Sequence, residues 1–522
     1  MTQEGAQAIP LKSKVAVAGA LLGAFMAVLN IQVVNTSLPD IQGGIGTGLD
    51  NGGWISTAYL IGEIIVIPLS GWLADVFSLR RYLIGNAILF LFFSAACGLT
   101  ANFPEMVALR AIQGFTGGVL IPLALVCVIT LLPPRARPVG FSMFALTATF
   151  APAIGPTIGG WITDTYGWRY IFFLNLVPGA LMLPALLWGL KRAPMHLDRF
   201  WRGDWLGVFT MALGLGTLQT VLEEGNKDDW FSSAFITRLS IISAVSLSLF
   251  LVQELRPGNK APLVNLRLFS RWNFGFSSVS NFMLGFVLYA AVYLIPLYLA
   301  VAHGYSAAQS GHVMAWIGLP QLIIIPFMPW LMQRIDPRRL LSLGFLLFFI
   351  SLTMNLQLGP NDSGPQLLVP NLIRAVGQAM VFPPITMIAT AGISAADAGS
   401  ASALFNMLRN LGGAVGIATV ETFVTNREKF HSFIINQHVS LLDPATRERI
   451  AAMQQYFQAH GLADSGSARQ QAIVLLGRTL RQQANYFAYG DAFGLLAIGM
   501  LVALAASLFV RRPSGPAAPG GH

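Results

Sequence analysis

The stretch YLIGEIIVIPLSGWLADVFSLRR, residues 59–81, decides the fold class because it sets one acidic residue, Glu63, inside a long apolar run. About 20 mostly apolar residues are enough for a helix to cross a bilayer. A charge near the centre of such a helix costs about 2.5–3.5 kcal/mol on insertion scales, so these residues are rare and usually face an interior cavity. The stretch therefore predicts a membrane helix with a functional carboxyl group at mid-depth.

Composition supports a membrane protein. The chain has 522 residues, of which 54% are hydrophobic and only 11% are charged, and its mean hydropathy is +0.62. A soluble protein usually carries about 25% charged residues. The two cysteines, Cys97 and Cys127, both lie in apolar runs, so no disulfide framework is expected.

Apolar segments of spanning length predict an all-α polytopic protein with fourteen transmembrane helices. The predicted spans are 16–38, 54–74, 82–100, 104–131, 139–163, 169–190, 205–223, 236–254, 274–300, 308–332, 340–357, 366–390, 400–424 and 489–510.

The distribution of Lys and Arg predicts the orientation, since short cytosolic loops carry an excess of both. The opposite short loops hold only Arg169, Lys227 and Arg238. Nineteen basic residues lie on the predicted cytosolic side: Lys12, Lys14, Arg80, Arg81, Arg135, Arg137, Lys191, Arg192, Arg199, Arg202, Arg256, Lys260, Arg267, Arg271, Arg334, Arg338, Arg339, Arg511 and Arg512. Both termini are therefore expected in the cytosol. The net charge of +9 follows from topology, which argues against a nucleic-acid partner.

An internal repeat divides the chain. PLSGWLADVFSLRRYL (68–83) aligns without gaps on PFMPWLMQRIDPRRLL (326–341), at an offset of 258 residues, and RAIQG (110–114) resembles RAVGQ (374–378). Corresponding positions in two halves are typical of transporters built by duplication around a central cavity. We predict two six-helix bundles, with the seventh and eighth spans as an additional pair between them.

These patterns divide the chain into segments. The predicted units are a cytosolic N-tail (1–15), an N-terminal six-helix bundle (16–190), two linker spans (205–254), a C-terminal six-helix bundle (274–510) and a cytosolic C-tail (511–522).

The segment 425–488, between the last two spans, is predicted to be helical and outside the membrane. Asp443 can cap a helix that starts at Pro444 and ends before Gly461. Ser467 with Gln470 forms a capping-box pattern for a second helix that could run into the final span. The segment is either a solvated hairpin or a docking surface for a partner.

Several motifs resemble the major facilitator superfamily, and in particular its fourteen-span drug:proton antiporters. The similar stretches are GWLADVFSLRR (71–81), RAIQGFTGG (110–118), APAIGPTIGG (151–160), VLNIQVVNTSLPDI (28–41), DWFSS (229–233) and LFNMLRNLGGAVGIA (404–418). The long loop before the last span is most similar to EmrB-type multidrug exporters. The resemblance covers about residues 15–510 and implies the major facilitator fold.

The resemblance also implies a function and partners. It implies a proton-coupled antiporter of the bacterial inner membrane that exports amphipathic or hydrophobic compounds, with the proton gradient as its energy source and no cofactor or metal. It further implies a periplasmic membrane-fusion adaptor of the EmrA type and a TolC-like outer-membrane channel. Related antiporters often have an acidic residue where this chain has Asn30, so proton coupling at that position is expected to be silent.

Glu63 is the candidate proton carrier. It lies nine residues after Trp54, about 14 Å along a helix, near the middle of a core about 30 Å thick. Ser56, Tyr59 and Glu63 share one helix face, which suggests a wet lining. The alternatives are a fixed hydrogen bond to the first or fourth span, or attraction of cationic substrates. Arg110 needs an acceptor at its depth. Its approach to Glu63 in one conformation would expel the proton; the alternative is a salt bridge or a clamp on backbone carbonyls with no role in coupling.

The remaining candidate residues fall into three groups. Polar residues that could line the cavity or only bond the helices together are Asn30, Tyr59, Gln113, Arg374, Gln378, Asn406 and Arg409. The gating motif comprises Gly71, Asp75, Arg80 and Arg81; we expect Asp75 to latch the cytosolic mouth beside the two arginines. Gln333 replaces Asp75 in the second copy, which predicts a one-sided latch.

The antiporter motif comprises Gly155, Pro156, Gly159 and Gly160, expected to allow close helix contact and a bend.

Other function classes lack support. The sequence has no HExxH, GxSxG or paired-cysteine motif for an enzyme, and no GxxxxGK[ST] phosphate loop for a primary pump. The alternative within transport is a dedicated exporter of one metabolite, such as a siderophore or a fatty acid.

Overall fold

The computed structural model describes residues 9–47, 51–256, 262–394, 396–462 and 464–512. Over these ranges the chain is helical, without a β-strand, so the predicted all-α class is confirmed. Residues 1–8 and 513–522 of the predicted tails, and the basic residue Lys260, lie outside the described residues.

Nineteen α-helices make up the described chain. The first nine are α1 (Leu11–Thr36), α2 (Leu38–Ile45), α3 (Trp54–Phe77), α4 (Leu79–Leu99), α5 (Phe103–Gly117), α6 (Leu120–Leu131), α7 (Arg137–Tyr166), α8 (Tyr170–Phe173) and α9 (Leu176–Gly189). The others are α10 (Leu197–Trp201), α11 (Trp205–Glu224), α12 (Ala234–Leu255), α13 (Trp272–His303), α14 (Ala307–Arg334), α15 (Pro337–Thr353), α16 (Leu368–Thr390), α17 (Ala398–Gln437), α18 (Pro444–Ala459) and α19 (Ser465–Leu508).

All fourteen predicted spans coincide with helices. Twelve helices of the described chain are long and apolar enough to cross a membrane by themselves. The other two predicted spans are α15, which has only 17 residues, and α17, whose buried residues include Asn406 and Arg409. Two predicted spans are each broken into two helices, α5–α6 and α8–α9. The hydropathy of an apolar run does not reveal such a break.

Two apolar cores support the molecule. One is built almost entirely from residues between Ala16 and Leu190, and the other mainly from residues between Leu263 and Val510. The two halves pack on each other through α7 against α14 and α3 against α17. Residues of both halves therefore meet along these two helix pairs.

The linker pair α11–α12 lies beside both halves. α11 packs on α12 and on α3, and more sparsely on α17. Thr57 of α3 donates a hydrogen bond to Glu224 (3.1 Å), and the indole of Trp230 donates to Thr422 of α17 (2.9 Å). The linker spans and the turn between them thus contact each half through a side-chain hydrogen bond.

Residues 425–488, here called the outer hairpin, are helical as predicted. Asp443 caps α18 by accepting from the Thr446 amide (3.0 Å), and Pro444 is the first helical residue. The second helix differs from the prediction, since α19 begins at Ser465 with Asp464 as its cap. Asp464 precedes the predicted capping box and accepts from the Ser467 amide (2.7 Å). α17 also extends to Gln437, well past the predicted end of its span.

Candidate functional site

Glu63 lies between the two halves. Its side chain is 3% exposed, and its Oε1 accepts a hydrogen bond from Asn410 Nδ2 at 2.9 Å. Glu63 belongs to α3 of the N-terminal half and Asn410 to α17 of the C-terminal half. The carboxyl group therefore points into the interface between the halves and is sheltered from lipid.

Glycines on α3, on α5 and just after α5 bring the backbones of these two helices close together. A Cβ at Gly62 would overlap the carbonyl of Ala111, and a Cβ at Gly114 would overlap the carbonyl of Tyr59. A Cβ at Gly118 would lie 2.9 Å from Glu63 Cα. This packing fixes the height and the direction of Glu63.

Asn410 is a site residue that sequence reasoning missed. The sequence left open, as an alternative, a hydrogen bond to the first or fourth span; the bond to Glu63 is made by α17. Asn410 follows Arg409 directly, and an amide beside an arginine inside an apolar span was the signal in the sequence. Arg409 itself lies within electrostatic range of Glu63. We call Glu63, Arg409 and Asn410 the interface cluster.

Arg110, on α5, joins helices of the N-terminal half. Its Nη1 donates to Asn30 Oδ1 and to Gln113 Oε1, both at 2.7 Å, and its Nε donates to the Ile55 carbonyl at 3.2 Å. Asn30 belongs to α1 and Ile55 to α3. One guanidinium group therefore connects α1, α3 and α5.

The hydrogen-bond partners of Arg110 include a backbone carbonyl, as in the clamp alternative, and do not include Glu63. Its guanidinium is 1% exposed and lies 4.2 Å from the ring centroid of Tyr59. Glu63 acts on it only through space, and the hydrogen-bond acceptors are neutral. Asn30 thus holds Arg110 in place. Tyr59, which was predicted to lie on a wet helix face, lies beneath the guanidinium group.

Arg374 occupies a related place in the C-terminal half. Its guanidinium is 1% exposed, lies 5.1 Å from the Phe348 ring centroid and donates to the Leu288 carbonyl (3.4 Å). Leu288 follows Asn30 by 258 residues, the offset that relates the two repeated hairpins. Where the N-terminal half supplies an amide side chain, the C-terminal half supplies a backbone carbonyl.

The other polar candidates of the C-terminal half bond neighbouring groups. Gln378 accepts from Gln321 of α14 (2.7 Å), and Arg409 donates to Asn406 Oδ1 (2.8 Å). Arg409 also lies 5.8 Å from the ring centroid of Phe144, on α7 of the other half. The bond between Gln378 and Gln321 supports the role of helix bonding, and lining of the cavity stays a prediction.

Several buried polar atoms of the site have no hydrogen-bond partner among the described residues. They include Glu63 Oε2, Arg409 Nε, Asn410 Oδ1 and two nitrogens of Arg374. An unsatisfied buried polar group costs about 1–3 kcal/mol. Glu63 Oε2 is free to take a proton while Oε1 keeps its bond to Asn410, and separation of the halves would break that bond.

The gating motif contacts the other half through glycine. A Cβ at Gly71 would lie 2.8 Å from the carbonyl carbon of Gly399, at the start of α17. The predicted latch of Asp75 with Arg80 and Arg81 is absent from the ion pairs of the described chain. Arg80 donates instead to the Leu187 carbonyl (2.8 Å).

The second hairpin has a carboxylate of its own. Asp336 pairs with Arg338 at 2.9 Å and with Arg512 at 3.2 Å, and hydrogen bonds from these arginines lower the pKa of Asp336 to about 2. The prediction of a one-sided latch overlooked this carboxylate, because the acidic residue of the second copy lies three positions after Gln333.

The antiporter motif lies on α7 against α1. A Cβ at Gly155 would lie 2.5 Å from Gln32 Cβ, and one at Gly159 would lie 2.9 Å from the Val33 carbonyl oxygen. Pro156 lies inside the helix. Gly160 differs from the expectation of close contact, since no heavy atom lies within 4 Å of a Cβ placed there.

This arrangement of helices matches a known family. The Major Facilitator Superfamily model matches residues 20–417. The chain belongs to the major facilitator superfamily. This facilitator chain is similar over its length to the colistin resistance protein EmrB of Acinetobacter baumannii, with 31% identity covering 96% of the chain and 97% of the relative. The multidrug export protein EmrB of Escherichia coli K12 is 30% identical, with 96% of each covered.

Other comparisons agree on the fold. The fatty acid resistance protein FarB of Neisseria gonorrhoeae is 30% identical to this facilitator, with 96% of each chain covered. The solved proton:xylose symporter XylE superposes with a TM-score of 0.56 at 17% identity, covering 95% of this chain and 96% of that one. At that identity the likeness concerns the fold alone. Because the EmrB relatives match this chain over nearly their full length, the chain is of the EmrB type within the superfamily.

Proposed function

We propose that the protein is a proton-coupled antiporter that exports amphipathic or hydrophobic compounds by alternating access. The observation that carries the proposal is the hydrogen bond from Asn410 to Glu63, which places a titratable carboxyl group between two halves of a facilitator fold. A proton on Glu63 changes the charge at this interface and so couples protonation to the packing of the halves. The names of the EmrB relatives support drug export.

A dedicated exporter of one metabolite is the second candidate. It is favoured by the similarity to a fatty acid resistance protein, and the interface cluster serves either substrate class. In both cases we place the protein in a bacterial inner membrane. We place its two termini in the cytosol because of the distribution of basic residues.

Transport by the purified protein tests this function. We expect wild-type protein in proteoliposomes to move a panel of amphipathic dyes against their gradient when a pH gradient is imposed, and to stop when the gradient is collapsed by an ionophore. Uptake of one fatty acid, with no dye transported, would favour the dedicated exporter. Transport of every compound at a rate independent of the pH gradient would contradict proton coupling.

The outer hairpin is proposed as the docking surface for a periplasmic adaptor, which passes substrate to an outer-membrane channel. The turn between α17 and α18 carries two large apolar residues, Leu441 and Leu442, which are 56% and 86% exposed. The body of the hairpin is held by the packing of Ile450 on Ala472 and Leu476. Changes in this turn should therefore leave the hairpin folded.

We expect the double variant Leu441→Asp and Leu442→Asp to keep dye transport in proteoliposomes within about twofold of wild type, since both residues are far from the interface cluster in the chain and at the surface. The same variant should lose resistance in whole cells, measured as the minimal inhibitory concentration. Gln458→Asp, which adds a charge at an exposed position of α18, serves as the control. Full resistance in cells carrying the double variant would exclude docking at the turn between α17 and α18.

A further inference from the structure

A groove opens between α4 and the end of α9, on the predicted cytosolic side. It encloses about 430 Å³. Both helices pack on helices of their own half, α5 and α8 around α4 and α1 around α9. The groove is therefore separate from the interface cluster.

The cytosolic end of the groove is positively charged. Arg80, Arg81 and Arg192 line it, and its lining contains no carboxylate. Arg80 is held by its bond to the Leu187 carbonyl (2.8 Å). Within the described chain, Arg81 and Arg192 have no ion-pair partner. Three guanidinium groups without a counter-charge favour an anion with several oxygen acceptors.

The first turn of α4 adds to this preference. The helix begins at Leu79 without a side-chain cap, and free amides at a helix N-terminus attract anions. Ser78, which also lines the groove, is 6% exposed, and its Oγ has no partner among the described residues. Its φ of 68° is an uncommon conformation for a residue other than glycine, and such strain is concentrated at ligand sites.

The rest of the groove is apolar. Ile84, Ile88 and Leu187 line it, and Ile88 and Leu187 are about half exposed, at 51% and 49%. No heavy atom lies within 4 Å of a Cβ placed at Gly85, so the floor of the groove is open. A ligand that fits has an anionic head and an apolar body.

We propose that this groove binds an anionic phospholipid of the cytosolic leaflet. The headgroup phosphate lies among Arg80, Arg81 and Arg192 at the start of α4, and one acyl chain lies along Ile84, Ile88 and Leu187. Free inorganic phosphate would satisfy the arginines but would leave the apolar wall uncovered. The apolar wall therefore favours a lipid as the source of the phosphate group.

Native mass spectrometry of the purified full-length protein, titrated with phosphatidylglycerol, tests the site. We expect one lipid to bind more tightly than the rest. Arg192→Gln should weaken that first binding about fivefold, since a basic residue near an anionic surface contributes about 1 kcal/mol. Gly85→Leu should weaken it at least as much by filling the floor. Lys191→Gln, a neighbouring basic residue outside the lining, and Gly477→Leu, another glycine with open space, are the matched controls.

The source of the phosphate is distinguished by two further titrations. Phosphatidylcholine should bind at least about fivefold more weakly than phosphatidylglycerol, and millimolar inorganic phosphate should leave the first lipid bound. Equal binding by wild type and both groove variants, or full displacement by inorganic phosphate, would overturn the proposal. The readout is binding alone, so it is independent of the proposed antiport.

Discussion

Glu63→Gln is expected to reduce proton-driven transport in proteoliposomes to the level of vesicles without protein. The substitution keeps the size of the side chain and an oxygen that can accept from Asn410 Nδ2, so the bond across the halves is retained. It removes the ability to release and take up a proton at Oε2. Transport coupled to the pH gradient then has no carrier at the interface, while insertion and substrate binding remain.

Three measurements separate this effect from misfolding. The variant should elute as wild type in size-exclusion chromatography, bind the same dye with an affinity within about threefold of wild type, and fail only in accumulation driven by the pH gradient. Glu223→Gln on α11 is the matched control, because Glu223 is an acidic residue of the linker pair, bonded to Gln219 at 3.0 Å. Normal antiport by Glu63→Gln would assign the proton to another residue.

The sequence could predict what depends on composition and local pattern. Span positions follow from apolar runs, and the cap of α18 follows from Asp443 before Pro444. Breaks within spans could not be predicted in this way: α5 ends at Gly117 and α6 begins at Leu120, inside one predicted span. Glycine at the break is no guide, since Gly23 lies within the unbroken α1. Hydropathy indicates whether a segment lies in lipid or in water, and it is insensitive to a local break in the helix.

The candidate site was predictable residue by residue but not in its pairing. Glu63 and Arg110 stand out because a charge in an apolar run is costly. Their partners depend on how distant helices pack, since Asn410 lies 347 residues from Glu63 and Asn30 lies 80 residues from Arg110. Asp336 was missed for the opposite reason, because the ungapped alignment placed Gln333 at the equivalent position and hid an acidic residue three positions later.

Gly71→Val is expected to abolish transport by keeping the mouth on the predicted cytosolic side from closing. A Cβ at Gly71 would already lie 2.8 Å from the carbonyl carbon and 3.1 Å from Cα of Gly399, and valine adds two methyl groups there. Both neighbours are backbone atoms, so the strain is relieved only by separating α3 from α17. The two halves should then stay apart at this end, and alternating access stops.

The accessibility of a reporter cysteine measures this separation. Ser402 is fully buried and donates to the Pro122 carbonyl of the other half (2.7 Å). With Cys97 and Cys127 replaced by alanine, Ser402→Cys should react slowly with a membrane-impermeant maleimide added from the cytosolic side. Gly71→Val should raise that rate on the order of tenfold, because local opening controls access to a buried group.

The control and the reciprocal variant make this prediction specific to the contact. Gly477→Val adds the same side chain to α19, where a Cβ meets open space, and should leave both transport and the reporter rate near wild type. Gly399→Val should reproduce the effect of Gly71→Val, since the two glycines face each other. Wild-type transport by Gly71→Val with an unchanged reporter rate would show that the halves do not close at this contact, and the two glycines would then be packing residues of an interface that stays still during transport.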